Sequence, residues 1–172
     1  MTTLTPQHLL FIERLRVAHL ATVDEAGRPH VIPVCCAVVR GAIYTPVDEK
    51  PKRVEAASLR RVRNILARPQ VCLVWDHYEE DWTCLAWLQV RGTAALVEAA
   101  AEQAALAALR DRYPQYRTMD LERRPLIRVT PTRVRAWSPV THLSEVAYPP
   151  TALPPRRPHR RAAPSRRPDA AR

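Results

Sequence analysis

Glycine is scarce, three in 172 residues, and no Gly-x-Gly-x-x-Gly or Gly-x-x-x-x-Gly-Lys-Ser/Thr loop occurs. This argues against the folds that cradle nucleotide phosphates in glycine-rich backbone. There is no Gly-x-Ser-x-Gly elbow and no His-Glu-x-x-His, so hydrolase readings have no local support. No apolar run approaches the roughly 18 residues of a membrane-spanning helix. The first residues show no basic segment leading into an apolar stretch and cleavage site. A cytoplasmic location is the expectation. The four cysteines, Cys35, Cys36, Cys72 and Cys84, have neither zinc-site nor redox-pair spacing and read as small buried hydrophobes.

What is abundant is positive charge, +10 in all, and it is uneven. Residues 149–172 hold seven arginines against Asp169 alone, so this Pro- and Arg-rich stretch carries +6 and the rest +4. With few aliphatic side chains, such a tail is expected to remain disordered. A solvated extension is the favoured reading, with an anionic partner for the tail, RNA, DNA or lipid, the alternative. The expected organisation is one globular domain, 1–148, followed by the tail, 149–172.

Within the domain, Thr5-Pro6 reads as a helix start, with Leu9, Leu10, Phe11, Ile12 and Leu15 forming an apolar face to about Arg16. Strands are expected over Val17–Val23, His30–Val39 and Ala42–Thr45, with turns between them. The second is apolar on both faces, which predicts cover on both sides, and Pro33 within it points to a bulge, an edge or a place where something other than a strand lies alongside. The spacing of Leu59, Val62, Ile65 and Leu66 predicts a helix over 52–68. Strands follow over Val71–Trp75 and Trp82–Val97, then a helix over Ala99–Arg112, and last two short strands, Leu126–Thr130 and Val134–Trp137, around Pro131. The fold class expected is mainly β, an antiparallel barrel with helices packed outside it.

A basic segment, Lys50-Pro-Lys52-Arg53, follows the third strand and opens the second expected helix, where unsatisfied N–H groups and the helix dipole favour an anion. Arg53, Arg60 and Asn64 fall close to one stripe of that helix. Two readings stand: a phosphate site, or a solvated basic face. The acidic run Asp76-His77-Tyr78-Glu79-Glu80-Asp81 lacks the spacing of a calcium loop and reads as a solvated connection. His19 and His30 read as strand histidines in a hydrogen-bonded surface.

Lys50-Pro-Lys52, the helix Leu59-Arg-Arg-Val-Arg-Asn64-Ile-Leu-Ala-Arg-Pro69, the run Asp76 to Trp82 and a terminal strand ending at Trp137 resemble the pyridoxamine-5′-phosphate-oxidase-like superfamily. Within it, they resemble most a branch of probable F420-dependent oxidoreductases. The resemblance covers about residues 8–140. It implies a split β-barrel of the FMN-binding-protein type and a homodimer with the cofactor between the chains. The cofactor's phosphate would lie on Lys50, Lys52, Arg60 and Arg61. The implied activity is hydride transfer between coenzyme F420, a deazaflavin, and a small organic substrate; the alternatives are an FMN-dependent oxidase or reductase of the same fold, or a non-catalytic cofactor- or nucleic-acid-binding barrel. The chain departs from the branch at Ala86, where an aromatic is usual, and at Gln89, where a basic residue is. Hydride chemistry asks for walls rather than acids or bases. Pro33, Val34 and Cys35 are candidates to line the cofactor ring, and Trp87 to cover it, with core packing or the dimer interface the alternative for Trp87. No side chain is assigned as catalytic and no metal site is expected.

Overall fold

The computed structural model of the chain describes residues 4–47 and 59–139. The candidates Lys50, Lys52 and Arg53, and the whole tail, lie outside the described residues. Seven strands and three α-helices are present among the described residues: α1 (Pro6–Arg14), β1 (Ala18–Val23), β2 (Pro29–Val34), β3 (Ala37–Val39), β4 (Ala42–Pro46), α2 (Arg60–Ala67), β5 (Gln70–His77), β6 (Ala86–Glu98), α3 (Gln103–Arg112) and β7 (Pro125–Trp137). Every strand pairing is antiparallel, in the order β2-β1-β5-β6-β7-β4-β3. The two outermost strands, β2 and β3, are consecutive in the chain, so the sheet curls until Cys35-Cys36 joins its two edges. This is a split barrel, mainly β and not closed by a ladder.

The single strand expected over His30–Val39 is therefore two. β2 pairs with β1, whereas β3 pairs with β4. At the break, the backbone partners come from a side chain: the Tyr113 hydroxyl accepts from the Cys36 N–H at 3.1 Å and lies 3.1 Å from the Cys36 carbonyl and 2.8 Å from that of Arg16. Buried backbone groups need such partners wherever a ladder stops. Pro33 sits on the edge strand, opposite His19, where its missing N–H costs no ladder bond.

The two short strands expected around Pro131 are one strand, β7. Gly92 opposes Pro131 while Arg91 opposes Arg133, leaving Thr132 as the extra residue of a bulge, its hydroxyl 3.2 Å from the Arg91 carbonyl. Because one inserted residue reverses which side chains face inward, the apolar alternation is out of phase across Pro131, which is why the segment reads as two pieces. Gly92 is needed there. A Cβ would lie 2.5 Å from the Thr130 carbonyl oxygen and 2.7 Å from Val129 Cγ1. Trp82, expected to open a strand, belongs instead to a short 3₁₀ turn, Trp82–Cys84, and β6 begins at Ala86.

Leu20, Ile43, Leu73, Trp75, Leu88 and Val129 fill the barrel, with Phe11 and Ile12 of α1 and Val62 and Ile65 of α2 closing it. The Thr5 N-cap and Pro6 open α1 as expected, with the His8 side chain completing a capping box. Its far end is held by Arg112, whose guanidinium donates to the carbonyls of Ile12, Glu13 (3.1 Å) and Leu15 (2.6 Å), a cation placed against the negative end of the helix dipole. A second apolar layer, Leu106, Leu109, Tyr113, Tyr116 and Leu121, lies outside the barrel and buries Ala37, Tyr44 and Leu126 of β3, β4 and β7. At about 2 kcal/mol per fully buried leucine, α3 is fixed firmly to that part of the sheet.

Candidate functional site

The outer face of the sheet is covered on one side only. Under α3 it is buried. Over β2, β1, β5 and β6 it is open, contrary to the expectation that both faces of the second strand are covered: Val31 is 57% exposed, and Pro33, His19 and Arg91 are exposed beside it. In register across this face run Val31, Ala21, Cys72, Arg91 and Arg133; then Pro33, His19, Val74, Gln89 and Arg135; then Asp76, Trp87 and Trp137. His19 Nδ1 reaches Asp76 Oδ1 at 3.5 Å.

The start of α2 lies near His30 of β2, which points to the side of the strand opposite Val31 and Pro33. Burial, followed by the charges of Arg60 and Arg61, holds the His30 imidazole below its ordinary value. Its Nδ1 is buried with no hydrogen-bond partner among the described residues. This differs from the hydrogen-bonded surface histidine expected. An orphaned ring nitrogen beside two guanidinium groups is a setting that an anionic oxygen would complete. Arg60 is partly engaged, 3.7 Å from Asp24 Oδ2, while Arg28 binds the same carboxylate at 2.8 Å. The Arg28 amide and guanidinium hold Asp24 below the usual carboxylate range. A cleft of about 590 Å³ separates this turn from α2, lined by Asp24, Arg28, Arg60, Arg63 and Asn64 among others.

The structure places the other candidates as follows. Asn64 lines the cleft but is 97% buried, and its amide donates to Thr22 Oγ1 at 2.9 Å, tying α2 to β1. Pro33 and Trp87 share the open face, three strand spacings apart, about 14 Å at 4.8 Å per strand. Val34 turns into the barrel core, and Cys35 packs under α3, so neither side chain reaches the open face. Of the two departures, Ala86 is buried in the barrel and Gln89 faces outward opposite Arg135. Tyr44, which closes the third expected strand and reads from sequence as a proton donor or as packing, donates to Glu102 Oε2 at 3.1 Å and is buried, with burial first and that bond second pushing its hydroxyl up. Among the described residues, no group of three His, Cys, Asp or Glu side chains converges on a metal position. No helix there is long and apolar enough to cross a membrane.

Sequence reasoning missed the outward row of Arg91, Arg133 and Arg135. Alternation along β6 puts Trp87, Gln89 and Arg91 on one face, but which strand lies beside them is a long-range fact that alternation does not hold.

Residues 4–138 match the family described as pyridoxamine 5′-phosphate oxidase. The chain belongs to the pyridoxamine 5′-phosphate oxidase family. Solved structures of varied description share this chain's fold. A conserved hypothetical protein from Mycobacterium tuberculosis is 22% identical, with TM-score 0.62 over 76% of this chain and 81% of that one. The heme storage protein HutZ from Vibrio cholerae is 20% identical, with TM-score 0.59 over 80% and 95%. An F420 reductase is 25% identical, with TM-score 0.55 over 73% and 94%. No protein of curated function matches in sequence.

Proposed function

We propose that this pyridoxamine 5′-phosphate oxidase family member is a coenzyme F420-dependent oxidoreductase, acting as a homodimer on a small organic substrate. The observation that carries the reading is the unpartnered His30 Nδ1 beside Arg60 and Arg61, on the side of β2 opposite Val31 and Pro33. The likeness to an F420 reductase supports the deazaflavin over other cofactors of the fold. When bound, the cofactor supplies the carbon that carries the hydride. The chain's own residues do the rest. Arg60 and Arg61, with Lys50, Lys52 and Arg53 of the preceding segment, hold the phosphate. Pro33 and Trp87 present apolar surface that excludes water from the ring, and the half-exposed apolar face is covered by a second copy.

Heme and FMN are the competing ligands, heme because of the likeness to HutZ. Titration of the purified full chain with F420, FMN and heme distinguishes them by fluorescence and by a Soret shift. F420 is expected to bind with a dissociation constant of about 1 μM or tighter, and Lys50→Ala with Lys52→Ala to weaken it by about tenfold or more. Tight FMN or heme binding with none of F420 overturns the assignment.

A further inference from the structure

We propose that the cavity between α1, the β3–β4 turn and α3 is a second binding site, for a small monocarboxylate with an apolar body, such as a medium-chain acyl carboxylate. Its walls have no residue in common with the cleft beside α2, so occupancy here does not depend on which cofactor the protein takes.

The cavity holds about 740 Å³, within the roughly 300–1,000 Å³ of small-molecule sites. Its floor is apolar, with Leu9 and Ile12 from α1, Val38 from β3 and Ala108 from α3. Leu9, Val38 and Ala108 are only half-buried, so they offer apolar surface for an occupant to remove from water. Its charged residues are Arg16, Arg40, Arg112, Glu13 and Asp111, a single net positive charge. Among the described residues none of the three arginines has a carboxylate within ion-pair reach, although other arginines do, such as Arg28, Arg110 and Arg128.

Arg112 sets the polar end of the site. Its Nε donates to the Tyr113 hydroxyl at 3.0 Å, Nη1 to the Glu13 carbonyl at 3.1 Å, and Nη2 to the carbonyls of Ile12 and Leu15. None of these partners carries a formal charge. The guanidinium is therefore held in one place with its charge unanswered, and Nη1 keeps a second N–H to give. A cation held still in advance spares the ligand the cost of ordering it. Arg16 is placed in a similar way, 4.8 Å over the Tyr113 ring, and Arg40 stands in the tight β3–β4 turn with φ 49°. A carboxylate answers such groups through charge-assisted N–H···O bonds, while its apolar body covers Leu9, Val38 and Ala108. A second negative charge would find only that floor and the Glu13 and Asp111 carboxylates, and a cation would meet three arginines. An apolar monoanion is the class that fits.

The test is calorimetric titration of the full chain with octanoate, set against octanol, octylamine and octanedioate as probes of equal chain length. Octanoate is expected to bind with a dissociation constant of about 100 μM or tighter, and each of the other three about tenfold or more weakly. R16Q/R40N leaves Arg112 and its hold on α1 in place, and asparagine tolerates the positive φ at Arg40. It should weaken octanoate by about tenfold and leave octanol unchanged. Ala108→Leu fills the floor and should weaken both. Folding of each variant is checked by circular dichroism. If either fails to fold, amide shifts of the wild-type chain decide: octanoate should move Leu9, Val38 and Ala108. Four results overturn the site: no octanoate binding at about 10 mM, equal binding of octanoate and octylamine, octanoate binding indifferent to both variants, or shifts centred on Val31 and Trp87 of the open face.

Discussion

The half of the sheet beneath α3 and the half beyond the bulge share two long strands and are treated differently. β6 and β7 run through both. Before Thr132, the outward positions of β7 include Leu126, buried under α3; after it they are Arg133, Arg135 and Trp137, all exposed. On the covered half, polar atoms are tied into a tight set: the Tyr113 hydroxyl serves Cys36, Arg16 and Arg112, and Tyr44 bonds Glu102. On the open half, Arg91, Arg133 and Arg135 are exposed with no carboxylate in ion-pair reach among the described residues. The lesson is that apolar content alone does not say whether a strand face is core or contact surface. Ion pairing separates the two here: Arg110 and Arg128 meet carboxylates on the covered half, whereas Arg91, Arg133 and Arg135 meet none among the described residues.

The largest effect that would sharpen this contrast comes from Tyr113→Phe. Removing a hydroxyl that bonds a buried N–H and several other backbone and guanidinium groups should cost about 2–4 kcal/mol of unfolding free energy, read by urea denaturation. A loss below the effect of an ordinary surface change would mean the edges are held by other contacts.

A smaller effect belongs to Cys36. Burial pushes its thiol from 9.0 up to about 12, with Arg112 opposing. The folded state therefore keeps the neutral thiol while an unfolded chain ionises it, so stability present below about pH 9 is lost progressively as pH rises toward 12, at up to about 1.4 kcal/mol per pH unit for one group. Tyr113, Tyr44 and Cys72 are raised too and add to the slope. Cys36→Ala should flatten the alkaline limb by one group's share; an unchanged slope would show that the thiol is not held neutral.

The smallest effect on folding is expected at Val31. Val31→Ser on the open half should change unfolding free energy by no more than about 0.5 kcal/mol. The same variant should dimerise measurably more weakly by sedimentation. A large folding loss would place Val31 in core and break the contrast.

Much of the fold could be read from sequence because it follows from local rules. Thr5-Pro6 opens α1, Pro69 ends α2, the turn at Arg40-Gly41 has both residues at positive φ, and Pro33 lies at an edge. What escaped was non-local. The split at Cys35-Cys36 depends on Tyr113, more than seventy residues away, and the continuity of β7 depends on Gly92 meeting Pro131. For the site, the basic start of α2 was visible as a charge run. Asn64 was misleading because a polar residue on a helical stripe looks the same whether it faces a ligand or, as here, Thr22.

The Cys35-Cys36 link makes the two margins of the sheet successive lengths of one thread. Tension applied to β2 passes directly into β3, so the barrel resembles a drawstring purse: its mouth has no ladder, yet neither lip can be peeled away without pulling on the other. A margin tethered in this way is a poor template for runaway strand addition, which needs an edge free to lie flat against another chain.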